Sequence, residues 1–101
     1  MIVVRNVFRL RFGKAREALA LWKEGAAMLA RAGMGSTRLL TDIVGPFYTL
    51  VVETTHDSFA DWESASQVEM SGDDWKTWYA RFTPMVESGY REVLTLHDAT
   101  V

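Results

Sequence analysis

Six residues in the middle of the chain, Phe47-Tyr48-Thr49-Leu50-Val51-Val52, are apolar on both faces of any strand they form. A β-strand turns successive side chains to opposite sides of its sheet, so such a segment needs cover above and below. The chain has few means of supplying that cover. Its 101 residues fit one domain spanning 1–101, and a domain this small buries only about two-thirds of the surface its unfolded chain exposes. Cysteine is absent, which removes disulfides and thiolate zinc sites as reinforcement and fits a reducing compartment.

The flanking segments provide the other elements. Ile2 to Phe12 reads as a strand ending at Gly13, with Ile2, Val4, Asn6, Phe8, Leu10 and Phe12 on one face and Val3, Arg5, Val7, Arg9 and Arg11 on the other. The first face belongs to a core, and Asn6 is its only polar member. From Ala15 to Ala32 the period becomes helical, with Ala15, Ala18, Leu19, Trp22, Ala26 and Leu29 on one side. Gly33 and Gly35 stop that helix. Gly25, in its middle, costs about 1 kcal/mol against alanine; it either allows a close helix–sheet contact or has no structural role. Ser36 to Val44 and Phe47 to Thr55 are two strands, made antiparallel by a turn at Gly45-Pro46.

Ser58 with Asp61 has the spacing of a capping box, and Ser71 with Asp74 repeats it. A broken second helical region is therefore expected, its later part carrying Trp75, Trp78, Tyr79, Phe82 and Val86 on one stripe. Pro84 should kink or restart it, and Gly89 should end it. Tyr90 to His97 is the fourth strand. The order β-α-β-β-α-β predicts an α+β fold of the ferredoxin-like kind, a four-stranded antiparallel sheet with helices on one face. The other face is then open. Arg5, Arg9 and Arg11 would suit water there; Val3, Val7 and the two-sided strand would not. An apolar patch of several strands is unusual on a monomer, so a homodimer joined through the sheet face is expected.

Composition excludes several functions. A net charge of −2 offers no broad positive field for a nucleic acid backbone. No apolar run approaches the roughly 20 residues that span a bilayer, and Arg5, Arg9 and Arg11 interrupt any signal-peptide core. A cytoplasmic protein without membrane or nucleic acid partners is expected.

The turn Phe12-Gly13-Lys14, the hairpin Gly45-Pro46-Phe47 and the helix start Ser58-Phe59-Ala60-Asp61-Trp62 resemble the dimeric α/β-barrel superfamily. Trp75-Lys76-Thr77-Trp78 through Pro84-Met85-Val86 resembles small NIPSNAP-type proteins, and the pair Asn6 and Trp62 is similar to the antibiotic-biosynthesis and haem-degrading monooxygenases. The resemblance covers nearly the whole chain as architecture. It implies two sheets closed into a barrel across a homodimer, with a pocket in each subunit between sheet and helices that takes a small apolar or aromatic molecule. It also implies catalytic roles for Asn6, binding a substrate oxygen, and Trp62, shaping the cavity around an electron-rich substrate that reacts with oxygen without a cofactor. The haem-degrading branch uses a histidine after that tryptophan; Glu63 to Trp75 contains none, so haem ligation of that type is not expected.

Each candidate has a plainer reading. An unpaired buried amide costs about 1–3 kcal/mol, so Asn6 either ties the sheet to a neighbour or faces a ligand. Phe8, Trp22, Trp62, Trp75, Trp78, Tyr79 and Phe82 either line that pocket or pack as core. Tyr48 and Tyr90 are candidate pocket hydroxyls. His56 and His97 have the chemistry of general bases, though histidines at strand ends are commonly exposed and idle. Neither belongs to a metal motif, so no metal is expected. Asp57, Asp61, Glu63, Glu69, Asp73 and Asp74 gather at two helix starts, where the helix dipole accounts for them.

Overall fold

A computed structural model describes residues 1–99. It contains β1 (Ile2–Leu10), α1 (Ala15–Arg31), β2 (Thr37–Thr41), β3 (Thr49–His56), α2 (Phe59–Met70), α3 (Asp73–Phe82), a 3-10 turn (Thr83–Met85) and β4 (Val86–Thr95). The strands form one sheet in the order β2-β3-β1-β4, with every neighbouring pair antiparallel. The fold is α+β and ferredoxin-like, with the second helical region split in two.

Alternation along β1 aims Val4, Phe8 and Leu10 at the helices, together with Leu50 and Val52 of β3. Against them α1 packs Ala18, Leu21, Trp22 and Leu29, and α3 packs Trp75, Trp78 and Phe82. Aromatic edges and faces interlock at the centre. The Trp22 and Trp78 ring centroids lie 4.5 Å apart at 75°, and Phe8 meets Phe82 edge-on at 4.9 Å. The Trp78 indole N–H donates to the Leu21 carbonyl at 2.8 Å, so its polar edge is satisfied inside the core. Gly25 permits this contact: a Cβ built there would lie 2.5 Å from Trp78 Cζ2. The close approach expected of Gly25 is thus to a helix and not to the sheet.

Several boundaries differ from the sequence reading. β3 begins at Thr49, so Phe47 and Tyr48, expected in the strand, belong to a loop over 42–48 that replaces the expected two-residue turn at Gly45-Pro46. Tyr48 takes a left-handed conformation, φ 61°, and Phe47 is exposed. The loop is closed when Asp42 Oδ1 accepts from the Thr49 amide at 2.9 Å and Thr49 Oγ1 donates to the Pro46 carbonyl at 2.8 Å. Ser58 caps α2 as expected, its Oγ accepting from the Asp61 amide at 3.1 Å. Ser71 does not cap α3: its hydroxyl donates back to the Val68 carbonyl, and Gly72 holds the N-cap position. Neither Val86 nor Gly89 is helical. Pro84 sits in the 3-10 turn that ends the region, and β4 starts directly at Val86. Gly89 lies opposite Phe8 within the sheet, where a Cβ would come within 3.0 Å of the Val7 carbonyl oxygen. One extra residue, Glu87, bulges where Arg9 opposes Ser88 and Leu10 opposes Val86.

On the helix-free face, Val7, Leu40, Val51 and Tyr90 lie beside an ion network in which buried Glu53 takes both Arg5, at 2.9 Å, and Arg38. Leu40 and Tyr90 are exposed, and Val7 and Val51 half-buried. With Phe47 outside the strand, the two-sided apolar character of β3 reduces to Val51 on this side.

Candidate functional site

Between the sheet and α2 the helical layer leaves a cavity of about 500 Å³. Its floor is Val4, Asn6 and Phe8 of β1 with Val52 and Thr54 of β3; its walls are Trp22, Leu29, Met34, Trp62, Ser66, Glu69, Met70, Trp75, Lys76 and Tyr79, with Tyr90 and Arg91 at the β4 edge. The exposed members, Met70, Lys76, Tyr79, Tyr90 and Arg91, mark its mouth. The volume fits a drug-sized ligand, and a mainly apolar lining with a few convergent polar groups is the ordinary make-up of a small-molecule site.

The local folding that opens this cavity is legible in the helices. α1 and α3 carry strong apolar stripes and close onto the core, whereas α2 buries only Ser66. α2 presents no fully buried apolar side chain to the sheet, and its half-buried Trp62 packs against the core as a side wall of the cavity. Trp62 is half-buried and meets Phe59 edge-on at 5.3 Å.

Asn6 and Trp62 both reach this cavity, and a residue not singled out from the sequence joins them. Arg91 lies directly opposite Asn6 in the β1–β4 ladder. Its Nε donates to Asn6 Oδ1 at 2.6 Å, and its guanidinium carbon lies 5.2 Å from the centroid of the Trp62 ring. Because a guanidinium only donates, the Asn6 amide must present its oxygen to Arg91. Its Nδ2 makes no hydrogen bond among the described residues and is available to an acceptor. A signal for Arg91 did exist: Gly89, Arg91 and Val93 alternate onto the helix side of β4, so Arg91 is a polar exception on an inward row, as Asn6 is on β1. The expected strand start at Tyr90 concealed the register that pairs the two.

Phe8, Trp22, Trp75 and Tyr79 also border the cavity. Trp78 and Phe82 do not; they are almost fully buried in the aromatic core behind it, 3% and 1% exposed. Two wall residues carry buried polar atoms without a partner among the described residues, Trp22 Nε1 and Ser66 Oγ. Tyr48 stays away from the site, stacked edge-on with Phe12 at 5.0 Å.

His56 departs from the expectation of an idle, exposed side chain. It is buried, and its Nε2 lies 2.8 Å from the Thr54 hydroxyl, which borders the cavity. Burial pushes its pKa below the usual 6.5, opposed by the charges of Asp57 and Asp61. His97 is exposed beyond the end of β4. Among the described residues no three His, Cys, Asp or Glu side chains converge as a metal site, and no helix is long and apolar enough to cross a membrane.

No family model matches the sequence, and no curated protein matches it. Solved structures do. A NIPSNAP family protein from Agrobacterium tumefaciens superposes with a TM-score of 0.89 at 24% identity, over 98% of this chain and 88% of that one. An uncharacterised NIPSNAP domain protein from Burkholderia xenovorans gives 0.84 at 19% identity, over 100% and 98%. SnoaB, a cofactor-independent oxygenase from Streptomyces nogalater, gives 0.76 at 13% identity, over 98% and 95%. The neighbours therefore include both NIPSNAP proteins and antibiotic biosynthesis monooxygenases. At these identities the likeness establishes the fold.

Proposed function

We propose that the protein is a cytoplasmic homodimer that holds a small aromatic molecule in the cavity between sheet and helices and oxidises it with molecular oxygen, without a cofactor. The observation that carries this reading is the convergence of Asn6 and Trp62 on one apolar cavity, with the amide Nδ2 left for a ligand oxygen. In a phenolic substrate that Nδ2 donates to the phenolate oxygen and stabilises the anion, while Trp62 holds the ring. The anion spreads charge onto the para ring carbon, which bears one hydrogen. Dioxygen bonds there, and loss of that hydrogen together with the proton given up by the phenol, as water around oxygen's second atom, leaves a quinone carbonyl, so the substrate supplies all the electrons. The dimer is supported by Leu40, Val51, Val7 and Tyr90 on the helix-free face: burial of a few hundred Å² of such surface contributes several kcal/mol, at roughly 25 cal/mol per Å², before association costs.

The test is oxygen consumption with a panel of phenols and quinols. Asn6→Ala and Trp62→Ala should each lower the rate by at least about ten-fold while leaving sedimentation unchanged. Equal rates in wild type and variants remove the catalytic reading. One observation favours a second, non-catalytic reading, a NIPSNAP-like ligand-binding or interaction module: the superposition is better with the NIPSNAP structures (0.89 and 0.84) than with the oxygenase (0.76). Wild-type protein that binds aromatic ligands yet consumes no oxygen would decide for the module.

A further inference from the structure

We infer that the ligand of this cavity is a flat aromatic carboxylate whose acid group seats on Arg91 at the mouth. The inference rests on the cavity reading above and adds the chemical class of the ligand, whether or not turnover occurs.

Arg91 is held on two sides. Asn6 Oδ1 takes its Nε–H at 2.6 Å, and the Trp62 ring lies against its guanidinium, 5.2 Å from centroid to central carbon. Both contacts are to neutral groups, so they orient the side chain without neutralising it. Arg5, Arg38 and Arg81 each meet a glutamate; Arg91 has no ion pair among the described residues. Its terminal N–H groups therefore remain as a planar fork with a fixed orientation, the geometry that receives a carboxylate through two parallel hydrogen bonds. Pre-ordering by Asn6 and Trp62 lowers the side-chain entropy lost on binding.

The remaining wall fits the other end of such a ligand. Lys76 adds a second cation against one anion, Glu69, and Lys76 too has no ion pair among the described residues. Inward from this mouth the surface is Val4, Phe8, Leu29, Val52 and Trp75, which offers contact to an aromatic ring and few hydrogen bonds. An apolar slot with a cationic rim selects molecules that are greasy at one end and negative at the other.

The experiment compares 2-naphthoate with its neutral counterpart 2-acetylnaphthalene by isothermal titration calorimetry. Wild-type protein should bind the carboxylate about ten-fold more tightly, the worth of a charge-assisted hydrogen bond discounted for a solvent-exposed mouth. Arg91→Met should remove most of that preference, read as the ratio of the two affinities, and Arg91→Lys should keep more of it than Arg91→Met because it retains charge without the fork. Equal affinity of wild type for the two compounds overturns the carboxylate assignment and leaves the cavity reading standing. Failure of wild type to bind either one sinks the cavity reading itself, and the carboxylate with it. The wild-type comparison stands alone, so a variant that unfolds does not blunt it.

Discussion

Gly25→Ala separates local propensity from packing, because the two predict opposite signs. In an isolated helix the change stabilises by about 1 kcal/mol. Here the new methyl would stand 2.5 Å from Cζ2 and 2.9 Å from Cε2 of Trp78, inside any tolerable carbon–carbon contact. Trp78 has little room to retreat. Its ring stacks on Trp75 at 4.8 Å and Phe82 at 5.8 Å, meets Trp22 edge-on at 4.5 Å, and is tied to Leu21 by its N–H. Overpacking of a dense core costs about 1–3 kcal/mol, and displacement of a buried, bonded indole leaves its hydrogen bond unmade for about 1–2 kcal/mol more. After subtraction of the propensity gain, Gly25→Ala should destabilise by about 1–4 kcal/mol, lowering Tm by roughly 4–8 °C per kcal/mol for a chain of this size. Urea unfolding followed by tryptophan fluorescence measures it directly. Adding Trp78→Phe, which removes the offending ring edge, should recover part of the loss that Gly25→Ala adds. A Gly25→Ala protein more stable than wild type would refute the packing argument.

Two further predictions concern charge and assembly. Since burial lowers the pKa of His56 in the folded protein, the unfolded chain takes up its proton first as pH falls. His56 therefore contributes stability that is fully present above about 6.5, the unfolded value, and declines as pH drops from there toward the folded pKa. Urea midpoints at pH 7.5 and 5.5 should differ more for wild type than for His56→Gln, and equal slopes would dismiss the effect. Wild-type protein should sediment as a dimer at micromolar concentration, and Val51→Glu, which places a charge in the middle of the helix-free face beside Glu53, should shift it toward monomer; a wild-type monomer would remove the proposed sheet-to-sheet contact.

Much of the fold is legible in the order of periods along the chain. The alternation from Ile2 to Leu10, the helical stripe around Trp22, and the two-part helical region follow from local pattern alone. What escaped is where a local signal was overruled by a partner distant in sequence. Gly89 looks like a helix stop, yet it is a glycine because the Val7 carbonyl and Phe8 ring pass over it. Val86 continues the apolar stripe of α3, yet Pro84 turns the chain into β4 first. Phe47 and Tyr48 have strand-forming side chains, yet Asp42 and Thr49 close a loop around them. The candidate site divides in the same manner. Asn6 stands out as the lone amide on an apolar row, whereas Arg91 acquires meaning only through a register that joins positions 85 residues apart. Trp78 and Phe82 share a stripe with Trp75 and Tyr79, and their separation from the cavity depends on how α3 rolls against Gly25.

The most direct test of a ligand cavity between sheet and helices uses the four tryptophans as reporters. Their indole N–H resonances would be followed by nuclear magnetic resonance during titration with 2-naphthoate. Trp62, which flanks Arg91 at the mouth, should move most, Trp22 and Trp75 less, and Trp78, bonded to Leu21 behind the wall, least of all. Saturating ligand that leaves Trp62, Trp22 and Trp75 unmoved would contradict the account.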